Sequence, residues 1–482
     1  MNERAIFRPC RPAAVLVLCL LPWPLLFGGC AAGPDFRPPQ ADLPAAYASD
    51  SGRPAAGQGE IEAGLGHWWT LFDDHVLTSL IERALSANLD LQLAAARVRQ
   101  ARAVQLAAAG GGGPTVDGAG SYRRSRSAGG GGAGDLFQAG FDAGWELDFF
   151  GGTRRSVEAA GADLLAAVES RREVLVTLTA EVASAYVDLR SGQQLLALAR
   201  RNLQALDRTV ELTRRRFEAG LANGLDVAAA GAQAAAAAAR LPPQETAIRR
   251  TMHRLALLLA APPDALVAEL TPAGPIPEAA RRIPVGIPSD LLRRRPDIRR
   301  AEAEIHAATA RIGVAEAELF PRFTLSGSLG LQASSFGRLS EWPNRFWTVG
   351  PSLNWKLFDM GRVRAGIEAQ HAVHEQSLLA YQQGVLAALG EVEDALVALT
   401  REREHRQALQ AAVAARHRTM ELATVLYENG QTEFLPVLDA RRSLYLAEEG
   451  LAQSSRDQSL QVIALCKALG GGWAGWAPEE GR

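Results

Sequence analysis

Cysteine is scarce in this chain, whose 482 residues include four. Cys10 and Cys19 lie in the apolar N-terminal segment, so a mature chain cleaved after that segment keeps Cys30 and Cys466. Two such cysteines cannot build a disulfide framework or a metal cluster. Cys466 lies in an apolar run and is predicted to be a buried helix residue.

Long apolar runs and an excess of basic residues are also missing. Beyond the first thirty positions, no run reaches the roughly 18 apolar residues that a membrane helix needs. A helical membrane protein is therefore disfavoured, whereas membrane β-strands give weaker, alternating signals and remain possible. The net charge is −2, with a pI near 6.5. Because nucleic-acid binding needs a basic face, we expect no nucleic-acid partner.

Groups suited to catalysis or metal binding are sparse as well. Among the eight histidines, His371 and His374 are the one pair spaced like metal ligands, and no carboxylate partner is obvious beside them. The glycine runs at 110–113 and 129–132 lack the Lys-Ser/Thr that follows a phosphate-binding loop. The sequence predicts neither an enzyme nor a metal site.

The N-terminus has the pattern of a bacterial lipoprotein signal. Arginines precede an apolar run over residues 13–27, and Gly28-Gly29 come directly before Cys30. This pattern predicts cleavage after Gly29 and acylation of Cys30, which would anchor the mature chain in a membrane. Ala31 stands where an inner-membrane retention signal usually has Asp, which favours the outer membrane. An ordinary cleaved signal with an incidental cysteine is the alternative.

Self-similarity at a spacing near 210 residues organises the rest of the sequence. Trp145-Glu-Leu147 corresponds to Trp355-Lys-Leu357, and Phe217-Glu-Ala-Gly220 corresponds to Tyr427-Glu-Asn-Gly430, both at an offset of 210. Upstream the offset is 207, so a loop near the strands absorbs the difference. We interpret the chain as a tandem duplication. Each half is predicted to contain a helix, two strands, a very long helix, a turn and a returning helix.

Apolar and polar side chains alternate over about ten residues in four places, two in each half. The predicted strands are residues 115–124, 136–147, 322–332 and 346–357. Strands of this length with one apolar and one polar face suit a transmembrane barrel. A soluble sandwich, in which the apolar face meets a second sheet, is the alternative. Four strands cannot close either structure within one chain, but several copies can.

A proline-free segment follows each strand pair, at residues 153–218 and 362–428, and both are rich in good helix formers. About 66 residues at 1.5 Å each make a helix of about 100 Å, far longer than a usual globular helix. Gly220 and Gly430 are predicted to end these helices as C′ residues that let the backbone turn. The turns are therefore the tips of helical hairpins.

Four segments together resemble the TolC family of outer-membrane efflux ducts, in its lipoprotein branch that serves resistance–nodulation–division (RND) pumps. They are Gly29-Cys30-Ala-Ala-Gly33-Pro34-Asp35-Phe36, Trp68-Trp69-Thr-Leu-Phe72-Asp-Asp74, Arg293-Arg-Arg-Pro296-Asp297 with Ala310-Arg311-Ile312-Gly313, and the tip Arg216-Phe217-Glu-Ala-Gly220 with Leu225-Asp226-Val227. The resemblance covers the whole mature chain and both repeats.

The resemblance implies a mainly α fold with a transmembrane β part. Three protomers would each give four strands to one 12-stranded outer-membrane β-barrel, which a long α-helical barrel continues through the periplasm. The implied function is that of the outer-membrane channel in a tripartite efflux system, passively conducting drugs or other small molecules. The implied partners are two further copies of the chain, a periplasmic adaptor (membrane fusion) protein, an inner-membrane pump and outer-membrane lipid. No cofactor is implied apart from the covalent lipid on Cys30.

The resemblance also implies a gate at the periplasmic tips. Asp226 and Tyr427 fall where the family has inter-helix gate contacts, and Asp439 falls where it has an acidic ring at the pore constriction. Such a ring would favour cations. Pro436 and Thr432 replace a second ring carboxylate and a gate arginine, which implies a weaker network. The alternatives are a solvated carboxylate for Asp439 and a plain N-cap for Asp226. The tip turns expected to contact the adaptor contain Gly220, Leu221, Gly430 and Gln431.

These inferences divide the chain into six segments. They are a signal peptide at 1–29, an acylated N-terminal and equatorial segment at 30–75, repeat 1 at 76–261, an equatorial linker at 262–289, repeat 2 at 290–469 and a flexible tail at 470–482. Two functional alternatives stay open. A duct for type I protein secretion would have the same architecture. A structural or adaptor lipoprotein would explain the long helices but not four amphipathic strands in two equivalent places.

Overall fold

The computed structural model describes residues 31–41, 43–50, 65–126, 132–279, 283 and 285–473. The predicted signal peptide and Cys30 lie outside these residues. The chain divides into two compact units. The sheet unit comprises the described residues of Met1–Pro39, Gln100–Leu165 and Ala303–Leu378, and the helical unit comprises those of Gln40–Arg99, Ala166–Glu302 and Leu379–Arg482.

Helices account for most of the described chain. They are α1 (His75–Ala87), α2 (Leu89–Gly110), α3 (Gly152–Glu218), α4 (Gly224–Ala239), α5 (Leu241–Leu258), α6 (Val267–Leu270), α7 (Asp290–Arg294), α8 (Pro296–Ala317), α9 (Arg362–Glu428) and α10 (Phe434–Ala468). The long helices α3 and α9 have 67 residues each, as the duplication predicts. Among the described residues, no helix is both long and apolar enough to cross a membrane.

Four strands form one antiparallel sheet in the order β1-β2-β3-β4. They are β1 (Thr115–Ser125), β2 (Gly134–Leu147), β3 (Arg322–Ala333) and β4 (Arg345–Asn354). The predicted pairs of strands in each half are confirmed, and β2 and β3 join the two halves side by side.

The register of the sheet separates an apolar face from a polar one. Phe141, Leu329 and Trp347 form a row across three strands, and all three are exposed on the isolated chain. The next row, on the opposite face, places Ser328 beside Thr348, and their hydroxyl oxygens lie 2.7 Å apart. Successive strand residues point to opposite faces, so the predicted alternation becomes two chemically distinct surfaces.

The structure corrects two predicted element boundaries. Strand β4 ends at Asn354 instead of residue 357, and just after it the Trp355 indole N–H donates to the Leu319 carbonyl oxygen, 3.0 Å away. The single helix predicted before the strands of the first repeat is broken at Asn88. The Asn88 side chain accepts from the Leu91 amide and donates to the Leu258 carbonyl, which caps α2 and holds the break in place.

The C-terminal tail is packed further than predicted. Residues 470–473 are part of the folded helical unit, whereas the sequence predicts flexibility from residue 470 onwards. The Trp473 indole donates to the Arg294 carbonyl oxygen at 3.0 Å. The guanidinium groups of Arg172 and Arg299 lie 4.7 and 5.6 Å from the Trp473 ring centroid. Cation–π contacts of this kind depend on residues distant in sequence, so composition alone missed them.

Arg295 ties three parts of the helical unit together. Arg295 as a whole residue is 9% exposed. Its guanidinium donates to the carboxylates of Asp297 and of Glu391 in α9, and to the Ala468 carbonyl at the end of α10. Burial alone would raise the pKa of Asp297, but the hydrogen bonds and charge of Arg295 outweigh it and lower that pKa. The Arg-Pro-Asp motif therefore both opens α8 at Pro296 and fastens it to the long helices.

Candidate functional site at the hairpin tips

The two long helices end in the same backbone motif. Gly220 and Gly430 both have φ of 72°, which an L side chain rarely adopts. After α3, the Leu221 amide donates to the Arg216 carbonyl oxygen at 2.7 Å, and the Gly220 amide donates to the Phe217 carbonyl oxygen at 2.9 Å. After α9, Gln431 and Gly430 repeat this pattern, at 2.9 and 3.0 Å. This pair of hydrogen bonds defines a Schellman motif, so the predicted C′ role of both glycines is confirmed.

The two returning helices start differently. Asn223 is the N-cap of α4 and accepts from the Asp226 amide at 2.9 Å, while Asp226 accepts from the Asn223 amide at 3.3 Å. This reciprocal pair is a capping box, so Asp226 is the third helical residue and not the N-cap itself. In the second repeat, Pro436 occupies the position equivalent to Asp226. Proline has no amide hydrogen to cap, and the N-cap Glu433 makes no side-chain capping bond.

Tyr427 lies in an apolar cluster that joins both hairpins of the protomer. The tip cluster contains Leu206 of α3, Ala230 of α4, Tyr427 of α9, and Phe434, Val437 and Leu438 of α10. The rings of Tyr427 and Phe434 lie 5.4 Å apart. Tyr427 is 5% exposed, whereas Phe217, its counterpart in the first repeat, is 49% exposed. One aromatic position of the duplication is thus an anchor, and the other faces outwards.

Arg216 adds a contact that sequence reasoning missed. Its guanidinium lies 4.6 Å from the centroid of the Tyr427 ring, and its Nη1 donates to the Tyr427 carbonyl at 3.4 Å. A cation over an aromatic face contributes about 0.5–2 kcal/mol, more when water is excluded. The contact links the end of α3 to the end of α9. The position of Arg216 next to Phe217 was visible in the sequence, but its cross-hairpin partner was not.

No hydrogen bond or ion pair joins the predicted gate residues to one another in the described part of one protomer. Among the described residues, Asp226 makes its side-chain hydrogen bond within the capping box, and no hydrogen bond joins it to Tyr427. Asp439 lies exposed on α10, and no ion pair is found for it in the described part of the chain. Their roles at a gate and at an acidic ring stay predictions, since both roles involve further protomers.

The segment after Cys30 is fastened to the sheet unit by a buried arginine. Arg155 of α3 is 5% exposed and donates to the Ala32 and Gly33 carbonyls at 3.1 and 3.3 Å. It also binds the carboxylates of Asp35 and Glu158, each at 2.7 Å. Burial opposes the charge on Arg155, but these two carboxylates outweigh it and raise its pKa. The segment is further held by the Ala32 amide, which donates to the Phe150 carbonyl just after β2, at 2.9 Å.

Two of the motifs noted in the sequence meet here. A Cβ on Gly33 would lie 2.4 Å from the Gly313 Cα, and one on Gly313 would lie 2.6 Å from the Ala32 carbonyl oxygen. Neither position has room for a side chain, so the two glycines permit the segment to cross α8 closely. The Phe36 ring stacks on His306 of α8, with centroids 4.3 Å apart. The Gly-Pro-Asp-Phe motif is thus a docking strap for the start of the mature chain.

We expect Arg155→Met to release this strap without unfolding the sheet. Each charge-assisted hydrogen bond contributes about 1.5–3 kcal/mol, and the exposed carboxylate of Asp35 tolerates the loss because water can solvate it. Hydrogen exchange of residues 31–39 should become faster. Arg154→Met is the matched control, because Arg154 binds Asp148 instead. Equal exchange in both variants would contradict a role for Arg155 in holding the strap.

Comparisons with known proteins place the chain among outer-membrane proteins. The family described as outer membrane efflux protein matches residues 80–261 and 287–471. Nodulation protein T of Rhizobium leguminosarum bv. trifolii is 35% identical over 463 residues, which cover 93% of this chain and 96% of the relative. The solvent efflux pump outer membrane protein SrpC of Pseudomonas putida is 31% identical over 460 residues, which cover 93% of this chain and 97% of that relative.

Solved structures give the same picture. The outer-membrane channel OprN superposes with a TM-score of 0.87 at 35% identity, covering 92% of this chain and 100% of that one. The open state of the Neisseria gonorrhoeae MtrE outer membrane channel superposes with a TM-score of 0.80 at 28% identity. The match covers 92% of this chain and 99% of the MtrE chain. The two segments matched by the family fall one in each half of the duplication.

Proposed function

This chain belongs to the outer membrane efflux protein family, and on that premise we propose that three copies assemble into a lipid-anchored duct with closable tips. The predicted family and fold class are confirmed, and the chain is an outer-membrane channel of the efflux type. The observation that carries the proposal is the pairing of an amphipathic four-stranded sheet with two helical hairpins whose tips share one apolar cluster.

The sheet supports assembly of several copies. Its four strands leave β1 and β4 as edges, and unpaired strand edges in a membrane carry unsatisfied backbone groups. Closure with two further copies would remove those edges and give a barrel of about twelve strands, with the polar face towards water. The apolar row at Phe141, Leu329 and Trp347 would then face lipid.

The tips support a partner-controlled opening. An inner-membrane pump and a periplasmic adaptor protein would complete the tripartite system, with the adaptor engaging the turns at Gly220, Leu221, Gly430 and Gln431. The tip cluster would hold the two hairpins of each protomer together while the tips are closed. Relatives are named for solvent and toluene efflux, which favours small organic molecules as cargo.

The strap supports lipid anchoring. The Ala32 amide donates to the Phe150 carbonyl just after β2, and Cys30 lies two residues earlier in the chain, so an acyl chain on Cys30 would anchor the protein next to a segment that is fixed to the sheet unit. Mass spectrometry of the mature N-terminus tests this. We expect an acylated cysteine, and an unmodified N-terminus produced by cleavage elsewhere would exclude the anchor.

Planar-bilayer recording of the purified protein tests the duct as a whole, with its mass in detergent measured in parallel. We expect a stable trimer that gives small, discrete, cation-selective currents. A monomer without conductance would contradict the proposal and favour a structural or adaptor lipoprotein. If the protein forms a conducting trimer but cells that lack its gene keep their small-molecule efflux, protein secretion is favoured instead.

We expect Asp439→Ala to weaken the block of these currents by divalent cations. Three copies of an exposed carboxylate in a narrow throat concentrate negative potential, and divalent ions respond to it most strongly. The measurement is the blocking concentration of Mg²⁺ in single-channel recordings. Glu433→Ala, which removes a nearby exposed carboxylate of the second tip turn, is the control. Unchanged block in Asp439→Ala would place the constriction elsewhere.

A further inference from the structure

A cavity behind the tip cluster has an unusual charge composition. Its volume is about 300 Å³, and it lies between α3 and the α4–α5 junction of the first hairpin and α10 of the second. Ala and Leu side chains form its apolar walls. Its polar lining consists of Arg240, Arg441, Arg442, Asn202, Gln233 and Tyr445. The lining thus carries three positive charges, and it includes no aspartate or glutamate.

Arg441 is the least satisfied of these groups. It is partly buried, and its Nε has no hydrogen-bond partner in the described part of the chain. Burial lowers its pKa, with no carboxylate acting in the opposite direction. Removing a charge from water without a counter-charge is costly, so natural proteins pair such groups. The unpaired Arg441 therefore leaves a partly buried positive charge that a negatively charged group in the cavity could neutralise.

In the described part of the chain, the carboxylates nearest the cavity do not pair with Arg441. Glu449 acts on Tyr445 instead, whose pKa is raised by burial and by that carboxylate. Glu245 of α5 binds Arg200 at 2.6 Å. Asp439 is on the same helix, where it can neighbour Arg442, three residues on, but not Arg441, because residues two apart on a helix do not face each other. The Arg240 guanidinium lies 5.9 Å from the Tyr445 ring centroid, so this arginine is oriented by an aromatic ring and not by an acid. The amides of Asn202 and Gln233 and the Tyr445 hydroxyl add neutral donors to the same lining.

We propose that this cavity binds a small polyvalent oxyanion of the phosphate or polycarboxylate class, which bridges Arg240 of the first hairpin to Arg441 and Arg442 of the second. Arginine suits this chemistry because its planar guanidinium presents paired donors to phosphate or carboxylate oxygens. The cavity volume of about 300 Å³ leaves room for an anion of the size of phosphate or citrate.

The bound anion would fasten the two hairpins to each other directly behind the tips. Its effect on opening rests on the proposed duct function, whereas binding itself does not. The tip cluster and the anion site would join the hairpins at two neighbouring places. The tip cluster would do so through apolar packing, and the anion site through charge. Anion concentration in the periplasm would then tune how firmly the hairpins are joined.

The test is isothermal titration of the mature protein in detergent with citrate and with phosphate, at an ionic strength matched with chloride. We expect saturable binding, an increase in melting temperature with anion concentration, and at least a tenfold weaker affinity in Arg441→Gln. Arg416→Gln, which removes an exposed arginine of α9 outside the cavity lining, should bind like the wild type. Arg441→Lys keeps the charge and should restore part of the affinity.

Three results would overturn the proposal. No heat and no thermal shift beyond that of chloride in the wild-type protein would show that the cavity holds no such anion. Equal weakening in Arg441→Gln and Arg416→Gln would show an unspecific charge effect. Loss of trimer mass in Arg441→Gln, with no anion binding to the wild type, would assign the counter-charge to a neighbouring copy of the chain. If Arg441→Gln does not fold, the exposed Arg240→Gln tests the same site. If the protein conducts ions but binds no anion, the proposed duct function stands and only the proposed anion site is excluded.

Discussion

Replacing Tyr427 by alanine is expected to open the tips. Tyr427 is 5% exposed and lies at the centre of the tip cluster, with Phe434 on one side and Arg216 over its ring. Truncating a buried aromatic side chain costs about 3–5 kcal/mol. A loss of about 3 kcal/mol corresponds to a shift of roughly a hundredfold between joined and separated hairpins. We expect larger single-channel conductance and faster entry of a bulky hydrophilic dye into cells.

Phe217→Ala is the matched control for this variant. Phe217 occupies the equivalent position in the first repeat but is 49% exposed, so its removal leaves no comparable cavity. We expect conductance close to that of the wild type. Equal effects of the two substitutions would mean that the tips respond to aromatic content and not to the packing of the cluster. Trimer mass should be unchanged in both variants.

Valine at Gly330 is expected to prevent formation of the folded sheet. Gly330 and Gly140 face each other across β3 and β2. A Cβ on Gly330 would lie 2.6 Å from the Ala139 carbonyl oxygen, 2.9 Å from the Gly140 Cα and 2.9 Å from the Phe346 ring. Two of these atoms are backbone, so the strands themselves would have to separate. We expect the heat-resistant trimer band on gels of outer-membrane extracts to disappear.

Gly350→Val is the control that distinguishes steric crowding at Gly330 from a general effect of placing valine in the sheet. Gly350 is in β4, on the same face of the sheet as Gly330, and a Cβ there would meet no atom within 4 Å. Valine is also a good strand former, so this variant should assemble normally. A trimer band retained in Gly330→Val would show that the close approach of β2 and β3 is not required for assembly.

Much of the architecture was predictable because it depends on local pattern. Alternation fixed the two faces of each strand, and the duplicated Glu-x-Gly endings at Gly220 and Gly430 predicted both turns. Helix composition without proline predicted α3 and α9 to within a residue or two. In each case the physical cause acts within a few residues of the signal, so a single sequence contains it.

What the sequence did not reveal depends on residues far apart in the chain. The pairing of Arg155 with Asp35, the contact of Arg216 with Tyr427 and the docking of Trp473 on Arg294 join residues more than 100 positions apart. An arginine on a long helix looks like a solvated residue until its partner is known. The capping box at Asn223 and Asp226 is different, because its Asn-x-x-Asp spacing was present in the sequence and could have been recognised.

The equal length of α3 and α9 restricts how the chain can change during evolution. Both have 67 residues and end in the same turn, and their tips share one apolar cluster. Deleting one residue from either helix would move its tip by about 1.5 Å and rotate it by about 100° relative to the other. Tyr427 would then leave the cluster even though no tip residue had been substituted. Insertions and deletions that survive in this chain should therefore occur in both repeats together, in steps of about seven residues that restore the same helical face.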